Sequence, residues 1–312
     1  MTATVTSALV LGATACSAQR TPISHKAPPR AAPAMLVVDA ADTPKLPEKF
    51  REVTDRPSNP GGGPMPDLDG FADLRESGSG ALSAQSMASV KQHFAARGVT
   101  RVIDVDLRQE PHLFVNGMGV SWFGDRDDVN IGMSDDAILS DEAEKKAALA
   151  RESAVGFQSI PGKSVRLPGS VRPRTVQTEE ELARAEGLGY FGLAVPDHHR
   201  PENGEVDRFV AFARDLPAGT WLHFHCRGGV GRTTTFMTLY DVMRNAKRVG
   251  LDDIMKRQVL IGGKDLLSPG AIAGDAFARE RAAFIRQFYD YARQNQDGFR
   301  TSFSLWLSRG GR

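Results

Sequence analysis

The chain has 312 residues, of which 41% are hydrophobic and 25% are charged, and its formal net charge at pH 7 is +1. A chain of this length and composition can bury a substantial core, in one large unit or two modest ones. The near-zero charge argues against nucleic acid as a partner of the whole surface, so an anionic ligand would need a local basic cleft. The two cysteines, Cys16 and Cys226, exclude a disulfide framework.

The N-terminal segment resembles an export signal. Residues 7–16 form a short apolar run that ends in small residues and Cys16. We therefore expect residues 1–16 to be a lipoprotein-type signal, with a lipid anchor at Cys16 and a periplasmic or envelope location. The open alternatives are a cytoplasmic protein or a secreted effector. Residues 17–45 are rich in Ala, Pro, Thr and Ser, which predicts a disordered tether before a folded domain at 46–312.

Strands alternate with helices along the predicted domain. Residues 83–96 predict a helix and residues 99–107 a buried strand. Composition then shifts over residues 111–165, which predicts a small insertion containing a charged helix at 140–152. Another helix is expected at 179–185. This alternation favours an α/β fold with a mainly parallel central sheet and a ligand crevice at the carboxyl ends of its strands.

A candidate general acid follows the next predicted strand. Residues 190–195 predict a buried strand, and the polar segment 196–201 after it places Asp197 at the tip of a loop between two prolines. A carboxyl group there can protonate the leaving oxygen of a phosphoester and later activate the hydrolytic water. The alternative is that Asp197 only caps the helix that begins near Glu202.

Residues 221–234 predict a strand, a phosphate-binding loop and a helix, in that order. Cys226 and Arg232 enclose five residues, three of them glycine, so the backbone can turn its N–H groups toward a tetrahedral anion. The enclosed residues are Arg227, Gly228, Gly229, Val230 and Gly231. The helix N-terminus that follows is itself an anion site. We call residues 226–232 the phosphate loop.

The residue types in the phosphate loop indicate phosphoryl transfer through cysteine. A thiol beside a guanidinium and a helix N-terminus ionises readily, which makes Cys226 a candidate thiolate nucleophile. The planar fork of Arg232 can bind two phosphoryl oxygens, and Thr233 can donate a hydrogen bond to the thiolate. The alternative, a Cys226 that is only a small core residue, leaves the glycines unexplained. His225 is expected to order the loop by hydrogen bonding.

No metal or cofactor is expected from the sequence. His223 and His225 alternate along the predicted strand, and His198 and His199 are adjacent. No pair of carboxylates stands at ligand spacing with them along the chain, which disfavours a metal site.

These motifs together resemble the protein-tyrosine-phosphatase-like inositol polyphosphatases, the bacterial cysteine phytases. The resemblance rests on the loop with Asp197, on the phosphate loop and on residues 103–110, and it extends from about residue 46 to the C-terminus. It implies a phosphatase-like α/β core with a small β-barrel-like insertion. It also implies metal-independent hydrolysis of myo-inositol polyphosphates through a phosphocysteine.

The resemblance further implies substrate-binding roles for four side chains, namely Arg51, Asp106, Lys163 and His198. Basic residues of the family are missing after Lys163 and over residues 265–272. Three arginines are candidates to compensate: Arg257, Arg279 and Arg281. A lower inositol phosphate, another phosphoester or phosphotyrosine therefore remains an alternative substrate, and a catalytically idle phosphate-binding module remains an alternative function.

Overall fold

The computed structural model of the chain describes residues 34–54, 57–124, 129–159 and 169–311. Its strands are β1 (Met35–Ala40), β2 (Arg51–Glu52), β3 (Glu76–Ser79), β4 (Val102–Asp106), β5 (His112–Val115), β6 (Met118–Phe123), β7 (Val176–Gln177), β8 (Gly189–Gly192) and β9 (Trp221–His225). Its helices are α1 (Ala84–Ala95), α2 (Asp135–Arg151), α3 (Glu179–Ala185), α4 (Asn203–Arg214), α5 (Gly231–Asn245), α6 (Leu251–Leu260), α7 (Pro269–Ile272), α8 (Ala276–Gln294) and α9 (Phe303–Ser308). Cys16, Lys163 and the predicted signal at 1–16 lie outside the described residues.

The central sheet has the strand order β2-β3-β9-β4-β8. Strands β3, β9, β4 and β8 pair in parallel, and the short β2 pairs antiparallel at the edge. The predicted mainly parallel sheet is therefore confirmed. Because the carboxyl ends of parallel strands meet at one edge, the segments after β3, β4, β8 and β9 converge there.

Helices cover both faces of this sheet. Alternate residues of β9 point to opposite faces. Leu222 and Phe224 join a core with residues of α4, α5 and α8, whereas Trp221 packs against Phe94 of α1 with ring centroids 4.4 Å apart. None of the helices in the described ranges is long and apolar enough to cross a membrane.

A second sheet, with the order β1-β6-β5-β7, is antiparallel. Strands β5 and β6 and helix α2 lie within the predicted insertion at 111–165, but β1 and β7 come from outside it. A closed barrel there remains a prediction.

The predicted tether at 17–45 is wrong over its last part. The apolar run of β1 pairs with β6, and Val37 and Val38 are only 1% and 5% exposed. A strand that buries two valines contributes to the core rather than linking to it. The folded part therefore begins before residue 46.

Candidate active site

Four segments at the carboxyl edge of the central sheet build the site. Cys226 directly follows β9, Glu110 follows β4, Asp197 follows β8 and Gly80 follows β3. The parallel order of these strands brings together residues that are far apart in sequence. Cys226, Arg232, Thr233 and Asp197, which the sequence analysis predicts to be catalytic, all lie here.

The phosphate loop turns its carbonyl groups outward, where donors of the protein hold them. Arg227 O accepts from Ala81 N at 3.0 Å, Gly228 O from Lys49 Nζ at 2.8 Å and Gly229 O from Arg51 Nη1 at 2.7 Å. Val230 O accepts from Thr234 N at 3.2 Å, and Gly231 O accepts from Thr235 Oγ1 at 2.9 Å. This arrangement leaves the loop N–H groups on its inner side, at the N-terminus of α5. Such a ring of N–H groups is a receptor for an anion.

Only one glycine of the loop is required by its backbone geometry. Gly229 has φ +66°, and a Cβ there would lie 2.5 Å from the backbone nitrogen of Gly80. At Gly228, by contrast, a Cβ would meet no atom of the described residues within 4 Å. Gly229 therefore lets the loop pass close to the segment that follows β3.

Cys226 is set up to ionise although it is buried. Its side chain is 2% exposed, and Thr233 Oγ1 lies 3.2 Å from its sulfur and 3.2 Å from the carbonyl oxygen of Ser79. Burial opposes ionisation, but the charge of Arg232 and the hydrogen bond from Thr233 outweigh it. The pKa of Cys226 therefore lies below its ordinary value.

Arg232 is held rigidly by an acidic side chain and a backbone carbonyl group. Glu110 accepts from Nη1 at 2.5 Å and from Nη2 at 2.9 Å, and the carbonyl oxygen of Val195 accepts from Nη1 at 3.0 Å. Burial disfavours the charged form, but Glu110 and Asp197 raise the pKa of Arg232 well above its ordinary value. Its buried Nε forms no hydrogen bond among the described residues, but Asp197 Oδ1 lies 3.2 Å from it as an ion-pair partner. Phosphoryl oxygens that bind along the Nε–Nη2 edge would therefore replace the Asp197 carboxylate there.

Asp197 pairs with the last residue of the phosphate loop and does not cap a helix. Its Oδ1 is 3.2 Å from Arg232 Nε, and its Oδ2 is 3.4 Å from Nε2 of His198. Helix α4 begins at Asn203 with Glu202 as its N-cap. The loop has a left-handed residue, His198 with φ +64°, whose side chain is 64% exposed. His198 can therefore meet a substrate that enters from solvent.

Arg51 and Arg227 lie behind the loop rather than at its mouth. Arg51 is 5% exposed, and it donates to the carbonyl oxygen of Gly229 and to Thr234 Oγ1. In this structure Arg51 is therefore a brace for the loop, and its contact with substrate stays a prediction. The side chain of Arg227 pairs with Asp39, with Nε 2.7 Å from Oδ1. Its predicted phosphate contact is therefore restricted to its backbone N–H.

Asp106 and His225 belong to a buried cluster of ionisable side chains beneath the site. The cluster members are Asp104, Asp106, His112, Glu179 and His225. His225 Nε2 lies 3.0 Å from Glu179 and 3.4 Å from Asp104, and His112 Nε2 lies 3.0 Å from Glu179 and 3.1 Å from Asp106. The predicted hydrogen bond from His225 to the loop is therefore corrected to ion-pair contacts within this cluster, whereas the predicted substrate contact of Asp106 stays a prediction.

The cluster also has the donor types of a metal site. Two sets, Asp104–Glu179–His225 and Asp106–His112–Glu179, offer ligand atoms within 4.8 Å of one another. Ion pairing already partly balances these charges, because burial disfavours protonation but Glu179 and Asp104 raise the pKa of His225 to about 9. Asp104 and Glu179 have no local sequence signal for this cluster, because β4 and α3 bring them to His225 only in three dimensions.

Three further residues of the site are not singled out by the sequence: Glu110 and Lys49 have no predicted role, and Arg281 is predicted only together with two other arginines. Glu110 orients Arg232, and Lys49 holds the carbonyl oxygen of Gly228. Arg281 of α8 is 5% exposed, reaches toward the carbonyl oxygen of His198 at 3.5 Å and has no salt-bridge partner within the described ranges. Of the other two arginines considered, Arg257 forms a buried pair with Asp241 and Arg279 is exposed. Nothing in the sequence separates these three arginines.

Known proteins share the sequence and the fold of this chain. Residues 105–244 match the family model of protein-tyrosine-phosphatase-like phytases, described as inositol hexakisphosphate. The chain is similar to the solved structure of a phytase of this kind from Bdellovibrio bacteriovorus, with TM-score 0.70 and 31% identity, over 90% of this chain and 97% of that one.

Longer relatives share the same region. A tandemly repeated phytase from Mitsuokella multacida gives TM-score 0.78 and 33% identity over 90% of this chain and 50% of that one, and a myo-inositol phosphatase from the same organism, solved with myo-inositol-(1,3,4,5)-tetrakisphosphate, gives the same values. The effector protein hopD2 of Pseudomonas syringae pv. tomato is 29% identical over 289 residues, which are 88% of this chain. The chain thus spans 60% of hopD2 and half of the Mitsuokella chains.

Proposed function

Because the chain belongs to the protein-tyrosine-phosphatase-like phytase family, we propose that it hydrolyses phosphomonoesters of myo-inositol through a phosphocysteine on Cys226, without a metal ion. The observation that carries this proposal is the position of the buried Cys226 at the start of the phosphate loop, where Arg232 and Thr233 lower the pKa of its thiol against the effect of burial. Arg232 and Asp197 lie on the side where a phosphoryl group would enter.

The first step transfers the phosphoryl group to sulfur. The Cys226 thiolate attacks phosphorus, and the bond from phosphorus to the ester oxygen breaks. Asp197 gives its proton to that oxygen, so an alcohol leaves rather than an alkoxide. The loop N–H groups and the Nε–Nη2 edge of Arg232 stabilise the charge on the nonbridging oxygens.

The second step releases phosphate. Asp197, now a carboxylate, takes a proton from a water molecule as the water oxygen attacks phosphorus. The bond from sulfur to phosphorus breaks, and the electron pair returns to Cys226 as a thiolate. The hydroxyl of Thr233, 3.2 Å from the sulfur, stabilises that leaving thiolate.

Two basic side chains near the loop support a substrate with several phosphate groups. His198 is exposed at the mouth, and Arg281 lies beside the loop with its charge unpaired by any described carboxylate within salt-bridge distance. The Mitsuokella phosphatase solved with an inositol tetrakisphosphate is a relative with such a substrate. These features favour an inositol polyphosphate over a phosphomonoester with a single charge centre.

The test is phosphate release by the purified full chain in the presence of a chelator. The substrates are myo-inositol hexakisphosphate, myo-inositol-(1,3,4,5)-tetrakisphosphate, a phosphotyrosine peptide and p-nitrophenyl phosphate. We expect turnover of the inositol substrates that is lost in Cys226→Ser and kept in Cys16→Ser. Asp197→Asn should slow the inositol substrates far more than p-nitrophenyl phosphate, because nitrophenolate leaves without a proton. Inositol turnover that survives in Cys226→Ser contradicts the proposal.

The similarity to hopD2 favours a second candidate, an effector role. In that case the same pocket acts on a phosphorylated protein, or only holds a phosphate group. Turnover of the phosphotyrosine peptide without turnover of the inositol substrates would support action on a phosphorylated protein. Binding of inorganic phosphate without any turnover would support a pocket that only holds a phosphate group.

A further inference from the structure

Asp39 of β1 lies where two arginine side chains of the site meet. Its Oδ1 accepts from Arg227 Nε at 2.7 Å, and its Oδ2 accepts from Arg108 Nη2 at 2.8 Å. The carboxylate is fully buried. Burial opposes its ionisation, but Arg108 and Arg227 hold the pKa of Asp39 below its ordinary value. A buried carboxylate is therefore kept charged between two guanidinium groups.

The pairing continues from Asp39 to the catalytic arginine. Arg108 Nε donates to Glu110 Oε1 at 2.8 Å, and Glu110 holds Arg232 by both of its oxygens. The alternating ion-pair network thus runs Arg227, Asp39, Arg108, Glu110, Arg232. It begins at the residue after the nucleophile and ends at the last residue of the phosphate loop. Its side chains are at most 10% exposed, so solvent screens these pairs weakly.

Local backbone geometry aims Asp39 at this position. The pairing of β1 with β6 is regular from Met35 to Val38, and the register shifts between Val38 and Ala40. Asp39 is therefore the extra residue of a β-bulge, and a bulge redirects a side chain out of the regular alternation. The ring of Phe123 on β6 lies 4.6 Å from the guanidinium of Arg227 and supports it from the same sheet.

We propose that Asp39 is a positioning residue of the phosphatase, which holds Arg227 outside the anion pocket and, through Arg108 and Glu110, fixes the guanidinium of Arg232. The proposal rests on the proposed function for its kinetic part. Arg227 follows the nucleophile directly, so a side chain that has lost the Asp39 carboxylate would be attracted to the phosphoryl oxygens. Loss of Asp39 would also remove one of the carboxylates that orient Arg108, whose Nε shares Glu110 Oε1 with Arg232.

The test replaces Asp39 with asparagine, which keeps the shape of the side chain and removes its charge. We expect kcat for p-nitrophenyl phosphate to fall by about 10- to 100-fold, because Arg232 is less well placed. We also expect the midpoint pH for alkylation of Cys226 by iodoacetamide, followed by peptide mass spectrometry, to rise. This second measurement depends on Arg232 near the thiolate and requires no turnover.

Two further variants separate positioning from general damage to the fold. Asp42→Asn removes a charge three residues away, at a carboxylate that contacts Gln85 and no arginine of the described residues, and it should leave kcat and the alkylation midpoint unchanged. The double variant Asp39→Asn/Arg227→Gln should keep more activity than expected from multiplying the losses of the two single variants.

The outcomes are distinguishable. A folded Asp39→Asn protein with unchanged kcat and an unchanged alkylation midpoint overturns the proposal, even if its melting temperature falls. Should Asp39→Asn fail to fold, Arg108→Lys takes its place, because a lysine keeps the charge but cannot hold both carboxylates with one fixed fork. For Arg108→Lys, kcat and the alkylation midpoint are then read in the same way. If the wild-type chain turns over nothing, the proposed function fails, and the alkylation midpoint still tests the role of Asp39.

Discussion

His225 keeps its proton in the buried cluster because carboxylates surround it. Burial disfavours the charged imidazolium, but Glu179 at 3.0 Å and Asp104 at 3.4 Å outweigh it, and the pKa of His225 rises to about 9. His225 directly precedes the nucleophile, so this ion pair fixes the end of β9 from which the phosphate loop starts.

The raised pKa predicts how stability depends on pH. The stabilisation from the His225 proton is fully present below the ordinary histidine pKa of 6.5 and is lost as pH rises through about 9. We expect the free energy of unfolding to fall over this window and to fall less in Glu179→Gln. Urea denaturation at several pH values measures it. Glu180→Gln, a change at the exposed neighbouring acid, should follow the wild type. Parallel curves for Glu179→Gln and the wild type would refute the assignment.

At the scale of elements, the phosphate loop is fixed by its contact with the segment after β3. Gly80 N donates to Glu48 O at 2.9 Å, and Gly229 passes so close to Gly80 that no side chain fits between them. The loop is therefore held between α5 on one side and the turns after β3 on the other.

This contact predicts that alanine destabilises the protein much more at Gly229 than at the adjacent Gly228. Gly229→Ala must adopt a left-handed φ and also displace Gly80, so we expect a loss of more than about 2 kcal/mol of unfolding free energy. Gly228→Ala meets open space, and its stability should stay within about 1 kcal/mol of the wild type. Thermal and urea denaturation of the two variants give the comparison. Equal losses would mean that the close approach of Gly229 to Gly80 is not what fixes the loop.

At the scale of the whole molecule, the N-terminal strand belongs to the folded domain. A chain that begins at residue 34 keeps β1, whereas a chain that begins at residue 46 loses Val37, Val38 and Asp39. Burial of the two valines contributes about 3–6 kcal/mol, so we expect the shorter chain to melt at a clearly lower temperature. It should also lose activity toward p-nitrophenyl phosphate. Equal melting temperatures for the two truncated chains would contradict the role of β1.

The sequence predicted the parts of the molecule whose signals are local. The order of β9, the phosphate loop and α5 follows from the spacing of Cys226, the glycines and Arg232. Helix α3 spans the predicted residues, and a capping box of Thr178 and Glu181 fixes its start. Strand β1 was missed because a short apolar run beside a Pro- and Ala-rich stretch reads as linker until its partner β6 is known. The roles of Glu110 and Asp39 depend on long-range ion pairs, which leave no periodic pattern in the sequence.

The outward carbonyl groups of the phosphate loop have a consequence for the thermodynamics of binding. A flexible loop would have to lose conformational entropy each time an anion binds, and that loss would weaken affinity. Here donors from Lys49, Arg51, Ala81 and α5 already hold the loop in its receptor shape. Phosphate, and the pentavalent phosphorus of the transition state, therefore meet N–H dipoles that need little reorganisation.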